Sequence, residues 1–291
     1  MFNARTKLYA VIGDPIAHSL SPVLQNWMIR SFRLNAVYLA FRVQDVKSAV
    51  EGMISLGIAG LNVTVPHKGQ VLSYVQEKSP DVCLLGAANT LKAAGGRVSA
   101  HVTDPYGFIE SLGLKRSIFK GASVVLFGAG GGARSVTFAL AQLGVTRLFI
   151  TDVIFERTLS LSHLAVSGLK ILETTAIQVQ DPALLDAVAD SSIIINASPA
   201  GMHPQVSLTP LTDVTAISKK HFVYDLVYNP ALTRFLAMAQ QKGASVQNGL
   251  NMLIYQGLQS LRIWEDENFQ LTEQGLAEVR SLLNAELKVH E

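Results

Sequence analysis

The chain of 291 residues is poor in cysteine, in charge and in long apolar runs, and each scarcity excludes some kinds of protein. A single cysteine, Cys83, excludes an internal disulfide and a cysteine-based zinc site, and we expect it to be buried. Charged residues make up 16% of the chain and the net charge is +2, without a run of like charges, which disfavours nucleic-acid and membrane partners. Apolar stretches such as SSIIINA are far shorter than the roughly 20 residues that span a bilayer. The sequence therefore predicts a soluble, cytoplasmic protein.

The chain does contain a regular alternation of short apolar runs with segments of helical period. Its hydrophobic content of 49% can fill a sizeable core, and its length indicates about two domains. The predicted strands are LYAVIG, VYLAFRV, GLNVTV, Val124 to Phe127, RLFIT, SIIIN, HFVYDLV and ASVQ. The predicted helices run from Pro22 to Phe32, with Ser21 as the N-cap, from Asp45 to Leu56, and from Leu250 to Trp264. This alternation predicts a largely parallel sheet covered by helices, and hence an α/β fold.

The segment VVLFGAGGGA has the pattern G-x-G-x-x-A at Gly128, Gly130 and Ala133, directly after a strand and at the start of a helix. Gly128 permits a tight turn, Gly130 lets a pyrophosphate approach the backbone, and Ala133 allows close packing of helix on strand. Such a loop can also be a plain turn, but the strand before it and the helix after it favour dinucleotide binding. A second alternating unit starts here, so we predict a seam near residues 104–121 and a ligand cleft between the units.

Asp152, at the end of the next predicted strand, bears on the choice of cofactor. A carboxylate at this position accepts hydrogen bonds from the ribose hydroxyls and repels a 2′-phosphate, which favours NAD over NADP. Arg134 and Arg157 lie nearby in the sequence and could still contact a phosphate, so NADP stays an alternative. Asp152 could also be a simple helix cap.

Polar residues recur at the ends of apolar segments in the first half of the chain. Reduction of a ketone by hydride requires a proton donor at the carbonyl oxygen, and the reverse reaction requires a base. Lys68 follows the strand GLNVTV, and Asp104, after another apolar segment, is its natural partner. Lys68 could also be a solvated lysine and Asp104 a helix cap. His18 and His67 have no further ligands at zinc-type spacing, so no metal site is predicted.

Eight motifs between about residue 9 and residue 264 carry a family resemblance, in the order GDPIAHSLSP, GLNVTVPHK, GAANTL, TDPYGF, GAGGGA, NASPAGM, DLVYNP and NGLNMLIYQG. With them the chain resembles the shikimate/quinate dehydrogenase family. The resemblance implies two domains, an N-terminal α/β substrate-binding domain and a Rossmann-type doubly wound dinucleotide-binding domain. The substrate domain would be discontinuous, with residues 1–104 plus 249–291, and the dinucleotide domain would span 105–248.

The resemblance also implies a reaction and the residues that perform it. A cyclic polyol carboxylate, shikimate or quinate, would be oxidised reversibly at its C3 hydroxyl with a nicotinamide cofactor. Lys68 and Asp104 would be the catalytic pair. The implied substrate-binding residues are Ser19, Ser21, Thr64, Asn89, Tyr228 and Gln256. The cofactor-binding set, which joins the glycine loop and Asp152 to residues implied by the resemblance, is Gly128, Gly130, Gly131, Ala133, Asp152, Asn196, Ser198, Met202 and Gly249.

Three departures from the family pattern concern specificity. Gln25 stands where the family usually has histidine, and Val102 where it usually has asparagine. NADP-using members carry a basic Asn-Arg-Thr-like stretch where this chain has TDVIFER, which is similar to NAD-using, quinate-accepting members. We therefore expect an NAD-preferring enzyme, monomeric or homodimeric, in a catabolic or secondary role. Two alternatives stay open: a dehydrogenase of another small substrate on the same scaffold, and a nucleotide-binding regulator without catalysis.

Overall fold

The computed structural model describes residues 2–289, and side chains for 2–287. The chain divides into two compact units. Unit 1 contains Met1–Gly107 and Leu253–Glu291, and unit 2 contains the intervening stretch, Phe108–Met252. The predicted boundaries lie close to these limits, while the assignment of substrate to one unit and cofactor to the other stays a prediction.

Strands and helices alternate along the described residues. The strands are β1 (Lys7–Gly13), β2 (Ala36–Arg42), β3 (Gly60–Val63), β4 (Glu77–Lys78), β5 (Thr90–Ala94), β6 (Arg97–His101), β7 (Ser123–Phe127), β8 (Arg147–Thr151), β9 (Glu173–Ala176), β10 (Ile193–Asn196), β11 (Phe222–Asp225) and β12 (Ser245–Gln247). The α-helices are α1 (Ser21–Ser31), α2 (Val46–Ser55), α3 (Pro80–Leu85), α4 (Asp104–Ser111), α5 (Gly131–Gln142), α6 (Phe155–His163), α7 (Ala183–Asp190), α8 (Arg234–Gln241), α9 (Leu250–Glu265) and α10 (Glu273–Val289).

Unit 1 is built on a sheet with the strand order β2-β1-β3-β5-β6-β4. β1 pairs in parallel with β2 and β3, as expected, but β5 runs antiparallel to both β3 and β6. The sheet is therefore mixed rather than largely parallel. The β5–β6 pair is a hairpin, whose two loop residues, Gly95 and Gly96, have φ angles of 58° and 75°. A Gly-Gly pair between two strand-like runs is a hairpin signal that sequence reasoning missed.

Trp264, near the end of α9, joins that helix to the sheet of unit 1. Its ring stacks on Tyr9 of β1 with centroids 4.6 Å apart, and its indole N–H donates to the Leu91 carbonyl at 2.8 Å. Gly60 of β3 leaves room for the indole, since a Cβ there would lie 2.3 Å from Trp264 Nε1. The sheet thus has a slot that the C-terminal part of the chain fills.

Unit 2 contains a parallel sheet in the order β12-β11-β10-β7-β8-β9. When β7 is counted as the first strand of the unit and the sheet is read from β9, this is the order 3-2-1-4-5-6 of a doubly wound dinucleotide-binding fold. β7 is buried on both faces, with Val124 and Leu126 in one apolar cluster and Val125 and Phe127 in another. A strand buried on both faces is apolar throughout rather than alternating, which is why its sequence stood out. The predicted two-domain α/β fold with a Rossmann-type unit is confirmed.

Candidate active site

The segment after β3 brings a lysine to a carboxylate at the start of α4. β3 ends at Val63, and a turn carries the chain to Lys68, whose Nζ donates to Oδ2 of Asp104 at 2.6 Å. Asp104 is the first residue of α4, where the helix dipole favours a negative charge. The two side chains are 23% and 10% exposed, so the pair is shielded from water and still reachable by a small molecule. The predicted pair is therefore in contact, while its role in catalysis stays a prediction.

Asn89 holds the other oxygen of that carboxylate. Its amide nitrogen donates to Asp104 Oδ1 at 2.8 Å and to Thr103 Oγ1 at 2.9 Å, and its oxygen accepts the Thr103 N–H at 2.8 Å. Both Asn89 and Thr103 are buried. Because the amide is held on both sides, Asp104 is kept with Oδ2 toward Lys68. Sequence reasoning missed Thr103, although its place beside Asp104 in the motif TDPYGF was a usable signal.

Gln256 of α9 reaches the same group from late in the chain. Its Oε1 lies 3.4 Å from both Asn89 Nδ2 and Thr103 Oγ1, and its amide nitrogen donates to the Leu253 carbonyl at 3.0 Å. Next to it, the Gly257 carbonyl accepts from the buried Gln25 side chain at 2.9 Å. The glutamine that replaces the usual histidine therefore ties α1 to α9 directly behind this group.

Two serines at the start of α1 lie together, but not as predicted. α1 begins at Ser21, and the capping position is held by Leu20, whose side chain makes no capping bond. The prediction that Ser21 is the N-cap is therefore wrong. Ser19 takes part of this task instead, because its Oγ accepts the Ser21 N–H at 3.3 Å. Both serines are half-buried.

A buried hydrogen-bond network in unit 1 begins next to Ser21. The Ser21 side chain lies beside the Tyr38 hydroxyl, which donates to Asn62 Oδ1 at 2.7 Å. Asn62 Nδ2 donates to the Asn89 carbonyl at 3.1 Å and to Ser260 Oγ at 2.9 Å. Since a carbonyl can only accept, the Asn62 amide has one orientation, and Tyr38 must donate to it. The network, which sequence reasoning missed, links the serine pair to the polar group around Lys68.

Two further predicted substrate-binding residues are Thr64 and Tyr228. Thr64 is half-buried directly after β3, and its Cγ2 lies 2.5 Å from the position of a Cβ on Gly13, so only glycine fits there. Tyr228 belongs to unit 2, in the segment after β11. Burial raises the pKa of Tyr228 to about 12, so its hydroxyl is neutral at physiological pH.

The glycine loop of unit 2 lies where the strand order reverses, between β7 and β10, which is the usual ligand position in such sheets. Gly128 has a φ of 102°, and a Cβ there would lie 2.9 Å from the carbonyl of Ala197 and the nitrogen of Ser198. The loop after β7 thus packs directly on the loop after β10, which glycine permits. Ala133 of α5 is completely buried.

The N-terminus of α5 has the space that a pyrophosphate needs. α5 begins at Gly131 with Gly130 in the capping position, and no side chain caps it. Gly130 has a φ of −79°, and a Cβ there would meet nothing within 4 Å. Packing within the protein therefore does not require glycine at this position, whereas a phosphate against the backbone would. Open space beside uncapped N–H groups fits the pyrophosphate of a dinucleotide.

Asp152 follows β8 and is oriented by the backbone. Its Oδ2 accepts the Ala129 N–H at 2.7 Å, and its Oδ1 accepts the Ile154 N–H at 2.9 Å. Asp152 is not the N-cap of α6, a position held by Ile154. Each carboxylate oxygen keeps a free lone pair, so ribose hydroxyls can still donate to it. The next residue, Val153, is 88% exposed and uncharged.

Asn196 organises the loop after β10 and is itself completely buried. Its amide nitrogen donates to the Ala200 carbonyl at 3.2 Å and to Asp225 Oδ1 at 2.9 Å. Its oxygen accepts the N–H and the hydroxyl of Ser198 at 3.0 and 2.6 Å. Any effect of Asn196 on a cofactor is therefore exerted through the loop, where Ser198 is half-buried and Met202 is 41% exposed.

Gly249 lies where two backbone segments of unit 2 meet. A Cβ there would lie 2.0 Å from the Leu226 carbonyl oxygen, and the Gly249 N–H donates to the Val227 carbonyl at 3.3 Å. Packing alone explains the glycine at this position. Its predicted contact with the cofactor stays a prediction.

The structure also bears on metals, the lone cysteine and the membrane. Among residues 2–289, no group of three or more His, Cys, Asp or Glu side chains is placed to hold a metal ion. His67 is buried and its Nε2 lies 2.7 Å from the Val43 carbonyl. Cys83 is exposed, contrary to expectation, because α3 turns Val82 and Leu85 inward and Cys83 outward. In the described part of the chain, no helix has the length and apolarity to span a bilayer.

Several known proteins are similar to this chain. Residues 11–91 match the family described as the shikimate dehydrogenase substrate binding domain. Shikimate dehydrogenase (NADP(+)) of Syntrophomonas wolfei is 36% identical over 261 residues, 89% of each chain. The structure of shikimate 5-dehydrogenase from Listeria monocytogenes in complex with shikimate and NAD has a TM-score of 0.87 and 29% identity, covering 97% of this chain and 98% of that one. Quinate dehydrogenase from Corynebacterium glutamicum in complex with NAD has a TM-score of 0.84 and 27% identity, covering 98% and 99%.

The similarity to the Syntrophomonas enzyme covers both units, but the name of that enzyme gives a cofactor other than the one expected here. The Syntrophomonas relative is named for NADP(+), so the expected preference for NAD is not supported by it. Identity of 36% over about nine-tenths of both chains, together with the matching fold, is enough to assign the family. The chain belongs to the shikimate dehydrogenase family and is an NAD(P)-dependent oxidoreductase.

Proposed function

We propose that this protein interconverts shikimate and 3-dehydroshikimate, and accepts quinate as a related substrate. The observation that carries the proposal is the ion pair of Lys68 and Asp104, a shielded proton donor beside a cluster of hydroxyl-binding side chains in unit 1. Shikimate in the Listeria complex and the name of the Corynebacterium enzyme support this substrate class.

Lys68 is the proton donor in the direction of reduction. Its ammonium gives a proton to the C3 carbonyl oxygen as C3 receives a hydride, and the product is the C3 hydroxyl. A nicotinamide dinucleotide, which the glycine loop and Asp152 would hold, would supply this hydride and, in its oxidised form, would accept it in the reverse direction. In that reverse direction the amine of Lys68 accepts the hydroxyl proton. Asp104 holds the amine in place throughout, and Asn89 keeps the carboxylate from rotating.

The remaining polar residues bind the rest of the polyol. Ser19 and Ser21 lie close together and are the donors for the substrate carboxylate. Asn89 directs its amide hydrogens to Asp104 and Thr103, so we assign it chiefly to holding Asp104. Contacts with the ring hydroxyls then belong to two half-buried side chains, those of Thr64 and Gln256.

NAD is the cofactor that we propose as preferred. The Asp152 carboxylate is oriented by two backbone N–H groups, and a 2′-phosphate beside it would be repelled. Val153 offers no charge to such a phosphate. NAD in the Listeria and Corynebacterium complexes supports this choice, and the NADP(+) in the name of the Syntrophomonas relative speaks against it.

Steady-state kinetics with NAD and NADP on shikimate and on quinate test both parts of the proposal. We expect kcat/KM for shikimate to be at least about tenfold higher with NAD, because the ribose contacts of Asp152 are lost with NADP. A higher kcat/KM with NADP would overturn the cofactor assignment. Binding of NADH without turnover of either acid would overturn the reaction and indicate a nucleotide-binding regulator.

A further inference from the structure

A buried carboxylate in unit 2 takes no part in the reaction described above. Asp225 is the last residue of β11 and is completely buried, and none of the ion pairs within residues 2–289 includes it. Burial raises the pKa of Asp225 to about 6, against the opposing hydrogen bonds that it accepts. A buried group that is ionised at neutral pH without a counter-ion is costly, which points to a task beyond stability.

Three donors converge on this carboxylate. Its Oδ1 accepts the Asn196 amide at 2.9 Å and the Val227 N–H at 3.0 Å, and its Oδ2 accepts the Thr233 hydroxyl at 2.7 Å. Asn196 and Thr233 are completely buried as well, and Thr233 is the N-cap of α8. Asp225 therefore ties the end of β10 to the end of β11 and to the start of α8.

The bond to Asn196 continues into the loop that follows β10. The Ala200 carbonyl can only accept, so it fixes the Asn196 amide with its oxygen toward Ser198. The peptide between Ala197 and Ser198 is also the one that packs on Gly128 of the glycine loop. One buried carboxylate thus acts, through one side chain, on the loop that lies against the predicted pyrophosphate site.

We propose that Asp225 is a positioning residue for the cofactor: through Asn196 it holds residues 197–200 against the glycine loop, in the conformation that binds the dinucleotide. The inference rests on the proposed function, since it takes unit 2 as the dinucleotide-binding unit. Hydrogen bonds to a carboxylate are about twice as strong as those to a neutral oxygen, so loss of the charge loosens Asn196 without removing its partner. Tyr224, the titratable neighbour, keeps its proton, because its pKa is raised by burial and by Asp225.

Calorimetric titration with NAD in the absence of any polyol tests this proposal. The wild-type dissociation constant should rise as the pH falls from 8 through about 6, because protonation neutralises Asp225. Asp225→Asn lacks the charge at every pH, so it should bind NAD about fivefold more weakly at pH 8 and show no further change down to pH 5. Asp225→Ala also deprives Asn196 of its partner and should weaken binding at least about tenfold.

Tyr224→Phe is the matched control, because Tyr224 precedes Asp225 on β11. The substitution removes a buried hydrogen bond to Ser111 of α4 and leaves Asn196 untouched. The NAD affinity of this variant and its pH profile should therefore match those of the wild type. If Asp225→Ala does not fold, as judged by circular dichroism, the pH profile of Asp225→Asn decides. Parallel profiles for Asp225→Asn and the wild type would overturn the inference. A wild-type protein that binds no dinucleotide at pH 8 would overturn the proposed function instead.

Discussion

Lys68 and Lys92 both donate to an aspartate, and they differ in where that aspartate lies. The side chain of Asp104 is 10% exposed, whereas that of Asp266 is 82% exposed. Lys68→Ala removes the proposed proton donor, so kcat for shikimate should fall roughly 10²–10⁴-fold while the affinity for NAD is unchanged. Lys92→Ala removes a pair whose aspartate is exposed to water and which therefore contributes little, and its kcat should equal that of the wild type. A full rate in Lys68→Ala would move the proton transfer to another group.

Tyr38 and Tyr9 form a second matched pair, since they are partners across β2 and β1 and both rings contact Trp264. The Tyr38 hydroxyl lies beside the Ser21 side chain and donates to Asn62, while that of Tyr9 donates to Glu265 at 2.6 Å. Tyr38→Phe removes the polar group beside Ser21 and its link to Asn62, so KM for shikimate should rise about threefold to tenfold, with KM for NAD unchanged. Tyr9→Phe should change neither.

A double-mutant cycle shows whether Tyr38 acts through Ser21. In the Ser21→Ala background, Tyr38→Phe should add little to KM for shikimate, because the group that it orients is already gone. Additive effects of the two substitutions, or equal KM values for Tyr38→Phe and Tyr9→Phe, would contradict the role assigned to this network.

Single residues were predictable where their position was unusual, and not where their task depends on a distant partner. Lys68 and Asp104 were noticed because polar groups followed apolar runs. Asn62 and Tyr38 sit inside strands, and their bonds join segments far apart in the sequence, which no local pattern contains. The N-cap prediction for Ser21 followed a sound local rule, yet the helix starts one residue earlier than that rule implied, with Leu20 at the cap and the Ser21 N–H donating to Ser19 Oγ.

The segment after β11 and the residue before α9 come very close at Gly249, and this contact can be tested against a glycine that touches nothing. Gly249→Ala would force the backbone away from the Leu226 carbonyl, so it should lower the free energy of unfolding by about 2 kcal/mol or more. Gly52 lies inside α2, where a Cβ meets nothing within 4 Å, so Gly52→Ala should raise it by about 0.5–1 kcal/mol. Thermal unfolding of both variants measures these effects, and a Gly249→Ala protein as stable as the wild type would contradict the close approach.

Long apolar elements could be predicted, and short ones could not. β8 has the predicted residues, and β7 and β10 differ by one residue at one end, because buried parallel strands have continuous apolar sequences. β4 has only two residues, Glu77–Lys78, and is a strand because β6 pairs with it. No local sequence pattern predicts such a strand, since its extended structure depends on pairing with β6.

For the whole molecule, Asp225 makes stability depend on pH. Its pKa is raised from 3.8 to about 6 in the folded protein. A carboxyl that binds its proton more tightly when folded adds stability below about pH 4, and this contribution is lost as the pH rises through 6. The shift corresponds to about 3 kcal/mol.

The free energy of unfolding of the wild type should therefore decline by up to about 3 kcal/mol relative to Asp225→Asn between pH 4 and 7. Urea denaturation of both proteins across this range measures the difference. Because the two proteins differ by one titratable group, the other carboxyls cancel. Equal pH dependence in the two would show that Asp225 titrates at its ordinary pKa.

The alternating pattern predicted a seam near residues 104–121, whereas the return of the C-terminal helices to the first domain was implied only by the resemblance. The sequence of α9 predicted a helix but not what the helix packs against, because the slot for Trp264 is made by residues of β1 and β3. Within unit 2, by contrast, the glycine loop between a strand and a helix was enough to predict dinucleotide binding, because that motif is contiguous in the sequence.

The slot for Trp264 also sets the order in which a newly made chain can fold. Residues 1–107 leave the ribosome roughly 150 residues before the indole that they need, a delay on the order of ten seconds at about 5–20 residues per second. Unit 2 emerges as one unbroken stretch during this interval. Nascent chains should therefore complete the folding of unit 2 first. The sheet of unit 1, although made earlier, should stay incomplete and bind chaperones until α9 has been translated.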